Sequence, residues 1–299
     1  MAGWFDGFEA GVHAVNGQRI FARVGGRVDG PPLLLLHGFP QTHAIWHRVA
    51  QRLADRHRLV MPDLRGYGDS SKPEGGPDHA EYSKRAMAQD MVALMQSLGH
   101  PRFALCGHDR GGRVAHRLAL DHPDAVQALA LVDIAPTLDM YEATDMAFAR
   151  AYYHWFHLIQ PEPLPERMIG GDPLGYLHWK LGGWGAGGLA HVEPQALADF
   201  ERCFADPAAI HATCEDYRAS AGIDLVHDRA SRAAGEKIAC EVLLLWGERG
   251  VVHRLFDPMA LWQAQCSAAV RGEALPAGHF IPEEVPDRVA DALAAFLGN

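Results

Sequence analysis

The sequence predicts an α/β fold in which a mostly parallel sheet is flanked by helices and a helical cap is inserted after the sixth strand. Short apolar runs alternate with amphipathic stretches over the first 136 residues, and the same alternation returns after residue 236. Strands that alternate with helices are typical of parallel sheets covered on both faces. Between the two blocks, aromatic residues, histidines and glycines replace the strand-like runs. We therefore expect a core of residues 1–136 and 237–299, with residues 137–236 as a helical cap over the carboxyl edge of the sheet.

The individual elements follow from the spacing of apolar residues. Short apolar runs predict buried strands, whereas apolar residues three or four positions apart, such as Met87, Met91 and Met95, predict helices. In the first block we predict a strand at 18–24, a strand at 33–36, a helix at 46–54, a strand at 59–61, a helix at 86–98, a strand at 103–106, a helix at 112–121 and a strand at 128–132. In the second block we predict a strand at 242–246, a helix at 259–266, a strand at 270–275 and a helix at 286–297.

The composition is that of an ordinary globular chain and excludes several classes of protein. Of the 299 residues, 48% are hydrophobic and 21% are charged, which argues against disorder and against a disulfide scaffold. The net charge of −10 argues against nucleic acid as a partner and means that an anionic substrate needs a local cationic site. No apolar run approaches the length of about eighteen residues that a membrane span requires.

Cysteine usage and the amino terminus predict a cytoplasmic protein. The five cysteines are scattered and form no CxxC pair, so neither a disulfide framework nor a structural zinc site is expected. The first six residues have neither the cationic start nor the apolar run of a signal peptide.

The most informative segment places an aspartate where a strand turns sharply into a helix. Asp109 follows the predicted strand at 103–106, and Gly107 and Gly111 lie two residues before and two residues after it. This is the pattern of a nucleophile elbow, in which glycines let strand and helix approach around a strained central residue. The usual serine is absent, and no G-x-S-x-G occurs elsewhere. An aspartate that merely caps the helix is the alternative, but capping does not require the flanking glycines.

A carboxylate nucleophile predicts chemistry at saturated carbon. It displaces a leaving group and forms an alkyl ester on the enzyme, which water then hydrolyses. A base must activate that water, and an acid must orient the base. His279 follows the last predicted strand, where the histidine of this arrangement is expected. We assign the acid to Asp133, at the end of the strand at 128–132, because Gly250 stands where aspartate is more usual; Glu248 is the fallback.

The loop that follows the strand at 33–36 is predicted to supply an oxyanion hole. It contains His37, Gly38, Phe39 and Pro40. The backbone N–H groups of Phe39 and Arg110 would stabilise the oxyanion that forms when water attacks the ester.

At this point the chain resembles the α/β hydrolases, and among them the fluoroacetate (haloacetate) dehalogenases, over nearly its whole length. The resemblance depends on His37-Gly-Phe-Pro-Gln-Thr-His43, on Gly107-His-Asp-Arg-Gly-Gly-Arg113, on Asp133, on His279 and on Tyr153-His-Trp155. It implies that His154, Trp155 and Tyr217 bind the halide, that no cofactor or metal is needed and that the protein is a homodimer.

Two arginines beside the nucleophile agree with this resemblance. Arg110 and Arg113 are three residues apart at a helix start, so both lie near Asp109. Two guanidinium groups there would bind a substrate carboxylate and fix the adjacent carbon for in-line attack. Surface arginines in salt bridges are the alternative interpretation. We also expect Trp184, in its glycine-rich loop, to line the entrance.

The sequence therefore predicts a hydrolytic dehalogenase of short 2-haloacids, with a small-molecule substrate and neither nucleic acid nor membrane as a partner. An epoxide hydrolase that uses the same Asp–His–Asp set is the main alternative, because the chain offers candidate donors to an epoxide oxygen in Tyr141, Tyr152, Tyr153, Tyr176 and Tyr217. A ligand receptor built on a degenerate hydrolase is the alternative from a different class, since fold alone does not determine function. The intact nucleophile and base argue against it.

Overall fold

A mostly parallel sheet forms the centre of the fold. The computed structural model describes residues 4–298. Within that range the strands are β1 (Phe8–Val15), β2 (Gln18–Gly26), β3 (Pro32–Leu36), β4 (Arg58–Pro62), β5 (Phe103–His108), β6 (Val126–Val132), β7 (Ala186–Leu189), β8 (Val242–Gly247) and β9 (Val270–Leu275). All of them except β7 join one sheet in the order β1-β2-β4-β3-β5-β6-β8-β9. The β1–β2 and β2–β4 pairs are antiparallel, and the other pairs are parallel.

Helices cover both faces of this sheet and form the inserted segment. In chain order they are α1 (His47–Leu53), α2 (Lys84–Ser97), α3 (Arg110–Asp121), α4 (Thr137–Glu142), α5 (Met146–Ala151), α6 (Tyr153–His157), α7 (Leu164–Gly170), α8 (Pro173–Trp184), α9 (Pro194–Phe204), α10 (Pro207–Ala221), α11 (Ile223–Ala234), α12 (Val251–Leu255), α13 (Pro258–Gln265), α14 (Ile281–Glu284) and α15 (Pro286–Phe296). Helices α4 to α11 follow β6, the sixth strand. The predicted fold class is confirmed. The exact division into a core and a cap at residues 136 and 237 stays a prediction.

The alternation of side chains along β3 shows how the sheet separates two apolar layers. Leu34 and Leu36 pack into the cluster on the side of α2 and α3, together with apolar side chains from residues 137–236. Leu33 and Leu35 pack into the cluster on the side of α1 and α15. All four leucines are buried, because successive side chains of a strand point to opposite faces and both faces are covered by helices.

The parallel strands bring several loops to one edge of the sheet. Val132 pairs with His108 on one side and with Leu245 on the other, so the residues that follow β5, β6 and β8 emerge at the same level. The carboxyl ends of parallel strands are where open α/β sheets place their sites. Asp109 follows β5 and Asp133 follows β6, and they therefore lie side by side.

The structure also corrects parts of the predicted element map. Strand β1 was not predicted, because this edge strand is largely exposed and lacks an apolar run. Trp184 ends helix α8 and does not lie in a loop, and the glycine-rich stretch after it contains the short strand β7. The helix predicted at 46–54 begins with a 3-10 turn at His43–Trp46.

Two other predictions concern the ends and the surface of the molecule. Residues 1–3 and 299 lie outside the described residues. All four belong to the predicted core, and residues 1–3 also belong to the segment that argues against a signal peptide. Among residues 4–298, no helix is both long and apolar enough to cross a bilayer.

Candidate active site

Asp109 lies in a strained turn between β5 and α3. Its φ of 46° is in the left-handed region that side chains rarely adopt. The glycines around it are required sterically. A Cβ on Gly107 would lie 2.4 Å from the Gly111 carbonyl oxygen, and one on Gly111 would lie 2.3 Å from the His37 carbonyl oxygen. The sequence thus folds into an elbow that holds the Asp109 carboxylate at the carboxyl edge of the sheet.

The two oxygens of the Asp109 carboxylate have different surroundings. The backbone N–H of Phe39 donates to Oδ1 at 3.0 Å. Oδ2 lies 3.8 Å from His279 Nε2, too far for a direct hydrogen bond. Burial alone would raise the pKa of Asp109, but the positive charges of His279, Arg113 and Arg110 outweigh it and hold the pKa below its ordinary value. The carboxylate is therefore ionised, with Oδ2 as the less restrained oxygen.

His279 is oriented by Asp133. Its Nδ1–H donates to Asp133 Oδ2 at 2.6 Å, and the N–H of Gly247 donates to Asp133 Oδ1 at 3.0 Å. Burial alone would lower the pKa of His279, but the hydrogen bond to Asp133 and the charges of Asp133 and Asp109 raise it above its ordinary value. Nε2 thereby faces the Asp109 carboxylate.

The backbone of His279 is held by two residues that the sequence did not single out for this task. The His279 N–H donates to the carbonyl oxygen of Trp184 at 2.9 Å. His108, directly before Asp109, donates from Nε2 to the His279 carbonyl oxygen at 2.8 Å. Burial lowers the pKa of His108 to about 3, so its ring is neutral. A buried histidine in a strand gives no signal in the sequence that separates this contact from ordinary packing.

Asp133, and not the fallback Glu248, contacts His279. Glu248 is exposed, whereas Asp133 is buried. Gly250 lies against the same carboxylate, since a Cβ placed on it would be 3.2 Å from Asp133 Oδ1. Gly250, the position where aspartate is more usual, therefore faces Asp133, the acid that this chain has.

Arg110 is buried and is anchored by Asp216. Nε and Nη2 donate to the two oxygens of Asp216 at 2.9 and 2.7 Å, and Nη2 also donates to Ser220 Oγ at 2.5 Å. Nη1 is buried and has no hydrogen-bond partner within residues 4–298. The guanidinium lies 4.1 Å from the centre of the Tyr217 ring. One nitrogen of this rigid cation is thus free for a ligand.

Arg113 is likewise buried and is not a surface arginine. Nη1 donates to Thr137 Oγ1 at 2.8 Å and to the Ala135 carbonyl oxygen at 3.3 Å. In the described part of the chain, Nε is without a partner. Its guanidinium lies 4.7 Å from the centre of the Trp155 ring. The two arginines therefore present unpaired nitrogen atoms close to Asp109, and no carboxylate is hydrogen-bonded to Arg113 among these residues.

The structure brings His154 and Tyr217 to the oxyanion loop. The His154 ring stacks on Phe39 at 6.0 Å, and the Tyr217 ring packs edge-on against Phe39 at 5.5 Å. His154 Nδ1 and Tyr217 Oη are buried, and neither has a partner in the described range. Burial raises the pKa of Tyr217 well above its ordinary value, so the hydroxyl keeps its proton. Trp155, beneath Arg113, completes the wall.

Lys180, which the sequence did not identify, lies buried behind this wall. Its Nζ is 3.7 Å from the centre of the Tyr153 ring and 4.9 Å from that of Trp184. No hydrogen-bond partner for Nζ lies within the described residues, and burial lowers its pKa to about 7. Burial, and next the charge of Lys180, hold the pKa of His154 well below its ordinary value. His154 is therefore a neutral ring with one N–H to donate.

Other clusters and cavities lie away from the triad. Asp69, Asp199 and Cys203 have ligand atoms close enough for a metal ion, but Arg202 already donates to both carboxylates at 2.8 and 2.9 Å. A groove of about 970 Å³ lies beside His79 and contains none of Asp109, Asp133 and His279. Neither feature can take part in chemistry at Asp109.

Comparison with known proteins places this geometry among hydrolases. The family profile described as the alpha/beta hydrolase fold matches residues 31–286. The chain is 48% identical to a fluoroacetate dehalogenase from Burkholderia sp, over 99% of this chain and 95% of that protein. It is 32% identical to a soluble epoxide hydrolase from Corynebacterium sp. (strain C12), over 95% of each chain. The crystal structure of ALR0039 from Nostoc sp PCC 7120 superposes with a TM-score of 0.94 at 53% identity and covers 98% of both chains.

Proposed function

The chain belongs to the α/β hydrolase family, and from this premise we propose that it hydrolyses the carbon–halogen bond of short 2-haloacids, with fluoroacetate as the first candidate substrate. The observation that carries the proposal is the pair of buried arginines beside an aspartate nucleophile. Arg110 and Arg113 each keep a guanidinium nitrogen without a partner in the described residues. An enzyme for neutral substrates has no need of two such cations in a closed site.

The substrate carboxylate binds between these two arginines. Arg110 cannot swing away, because Asp216 holds two of its nitrogens. Arg113 is fixed by Thr137 and by the Trp155 ring below it. A carboxylate bound to Arg110 Nη1 and Arg113 Nε places its α-carbon next to Asp109, and such positioning lowers the barrier by making the attack effectively unimolecular.

The first chemical step is displacement at that carbon. Oδ2 of Asp109 forms the new C–O bond, the carbon–halogen bond breaks and its electron pair leaves with the halide. Oδ1 becomes the ester carbonyl oxygen and keeps the hydrogen bond from the Phe39 N–H, which is 3.0 Å long in the free protein.

The departing halide is stabilised by N–H and O–H donors on the far side of the carbon. His154 and Tyr217 offer unpartnered donors, and Trp155 offers its indole N–H. Fluoride gains most from such donors, because it is small and charge-dense. Each hydrogen bond to a charged acceptor contributes about 1.5–3 kcal/mol.

Hydrolysis of the ester completes the cycle. His279 Nε2 takes a proton from water as the oxygen attacks Cγ of Asp109, and Asp133 stabilises the resulting imidazolium. The oxyanion accepts from the N–H groups of Phe39 and Arg110. The proton then passes from His279 to the departing 2-hydroxyacid oxygen. Asp109 is left as a carboxylic acid that holds the second proton of the water, and it releases this proton to solvent because its pKa is lowered. Neither a metal nor a cofactor takes part.

We further propose that the protein works in the cytoplasm as a homodimer. All five cysteines are free, as is usual in a reducing compartment. The homodimer is carried over from the resemblance to fluoroacetate dehalogenases. Sedimentation equilibrium at micromolar concentration tests it. A mass near twice the 32.7 kDa of the chain is expected, and the mass of a single chain would contradict it.

Halide release from fluoroacetate and chloroacetate, with a simple epoxide in parallel, tests the proposed activity. Release of fluoride is expected, and it would support both the arginine pair and the halide donors. Release of chloride but not of fluoride would agree with the mechanism but contradict the donor role of His154, Trp155 and Tyr217. Diol without halide would identify an epoxide hydrolase, and binding without turnover would identify a receptor.

Epoxide hydrolysis is the less well supported activity. It requires hydroxyl donors acidic enough to protonate the ring oxygen. Burial raises the pKa of Tyr141 to about 12 and that of Tyr152 and Tyr217 well above the ordinary value, which makes them weaker acids. An uncharged epoxide would also leave Arg110 Nη1 and Arg113 Nε unpaired.

A further inference from the structure

A cavity between the cap and the core leads from the surface to His279. Its volume is about 300 Å³, and its walls include Tyr152, Trp184 and Gly250 beside the triad and Trp179 at the surface. Trp179 is 70% exposed, whereas His279 is buried. We name this cavity the vestibule. It joins solvent to the base that activates water.

Three arginines surround the vestibule. Arg150 lies on α5 of the cap, Arg249 follows β8 and Arg254 lies on α12. All three are exposed, and none of them forms an ion pair with a carboxylate in residues 4–298. No aspartate or glutamate is among the residues that line the cavity. Three unpaired cations from three separate elements thus converge on one opening.

A buried fourth cation lies behind the same wall. Tyr153 and Trp184 line the vestibule, and the Nζ of Lys180 lies against the rings of both, at 3.7 and 4.9 Å. Since no hydrogen-bonding side chain within the described range neutralises Lys180, its protonated form adds to the positive potential of the opening.

We propose that the vestibule is the entrance for the substrate and that Arg150, Arg249 and Arg254 make it selective for anions. The proposal rests on the proposed function, because it concerns how a haloacid reaches Arg110 and Arg113. The net charge of −10 repels an approaching carboxylate over most of the surface. A cleft lined by one sign of charge concentrates the opposite ion locally and raises association rates by about 10- to 1,000-fold.

Exposed arginines suit capture better than tight binding. Their ion pairs with a carboxylate in water contribute little binding free energy, so the anion is not held at the opening. Arg110 Nη1 and Arg113 Nε, deeper in the site, are desolvated and bind the carboxylate more strongly. The 2-hydroxyacid and the halide are anions too and leave by the same route.

Blocking the vestibule tests whether it is the entrance. Gly183 lines it on α8, and a Cβ placed there meets no atom within 4 Å. Gly183→Trp therefore adds a large side chain at the wall of the vestibule without forcing the backbone to move. Gly170 on α7 is the matched control, because a Cβ there also meets nothing within 4 Å and the residue does not line the vestibule. We expect Gly183→Trp to lower kcat/KM for bromoacetate at least tenfold relative to Gly170→Trp.

Charge removal tests the role of the arginines. The triple variant Arg150→Gln, Arg249→Gln and Arg254→Gln is compared with a control triple, Arg56→Gln, Arg102→Gln and Arg167→Gln, which changes the net charge equally at exposed positions elsewhere. The readout is the rate at which the first ester forms from bromoacetate, measured before steady turnover begins. Because bromide leaves readily, capture of the substrate contributes more to this rate. We expect about a tenfold loss for the vestibule triple near 0.01 M salt, and a smaller loss near 1 M salt, where charges are screened beyond about 3 Å.

The outcomes separate the two proposals. If the wild-type protein releases no halide from bromoacetate, the proposed function and the vestibule both fail. If it does release halide, but Gly183→Trp is as active as Gly170→Trp, the entrance lies elsewhere and only the vestibule proposal fails. Equal losses in the two arginine triples at every salt concentration would overturn the selectivity for anions.

Discussion

Gly250 faces the carboxylate of Asp133: a Cβ on Gly250 would lie 3.2 Å from Oδ1 and 3.4 Å from Oδ2. The two residues follow neighbouring strands, β8 and β6, whose carboxyl ends meet at the triad. Gly250 has φ −74° and ψ 167°, a conformation open to any residue. An acid could therefore reach the same space from either strand, and this chain supplies it from β6.

The acid should be transferable between these two positions. Asp133→Asn should lower kcat by about 10²–10⁴-fold, because the amide no longer holds His279 in the required tautomer. Asp133→Gly, which tolerates the φ of 51° at this position, should be similarly inactive. Adding Gly250→Asp to Asp133→Gly should restore part of the rate, as measured by steady-state halide release. A double variant no better than the single one would show that Asp133 does more than orient His279.

The pH dependence should separate the two chemical steps. His279 must be neutral to act as the base, and its pKa is raised above the ordinary value by Asp133 and Asp109, so turnover should fall as the pH drops through that raised pKa. Asp109, with its lowered pKa, stays ionised there. The first-turnover burst of halide should therefore persist at pH values where steady turnover is lost. A burst that disappears together with turnover would contradict this assignment.

Asp216 should be essential for both stability and substrate binding. It hydrogen-bonds Arg110 and also pairs with Lys84, and all three are buried. Asp216→Asn leaves the buried Arg110 without its charge partner, whereas Lys84 then relies on Asp224 at 3.5 Å. The free energy of unfolding, measured with urea, should fall by about 3–5 kcal/mol. KM for the haloacid should rise as well. Asp139→Asn, which breaks a more exposed pair with Arg232, is the control and should cost at most about 1 kcal/mol.

Loss of the Trp155 indole N–H should discriminate between halogens. Trp155→Phe keeps an aromatic ring beneath Arg113 but removes one donor, so the rate of fluoride release should fall about 10–100-fold. Chloride release should fall less, because chloride leaves more easily. Trp262→Phe is the control, since that indole donates to the Ile134 carbonyl oxygen at 2.9 Å inside the core. Equal losses with both substrates would show that the donor role of Trp155 is wrong.

The elbow could be predicted from the sequence because its cause is local. Gly107 and Gly111 are required by contacts within a few residues of Asp109 and with the neighbouring strand, and such steric needs leave a fixed spacing in the chain. The strand that precedes Asp133 was likewise visible as an apolar run. Strand β1 was missed, because an exposed edge strand needs no continuous apolar face.

The contacts that hold the site residues in place could not be predicted from the sequence, because they join distant parts of the chain. Asp216 binds Arg110 across 106 residues, and His108 contacts His279 across 171 residues. Nothing in the local sequence distinguishes Asp216 from a solvated aspartate on a helix. The sequence does not distinguish Lys180 from an ordinary surface lysine, and only the folded chain shows that it is buried.

Trapping the covalent intermediate is the most direct test of whether Asp109 is the nucleophile. His279→Asn removes the base but leaves Asp109 in its elbow, so incubation with fluoroacetate should release one fluoride per chain and then stop. Mass spectrometry should find the mass of one carboxymethyl group on the peptide that contains Asp109, and the double variant with Asp109→Asn should show none. Fluoride release by the wild-type protein without any adduct on Asp109 in the variant would contradict a covalent route through Asp109.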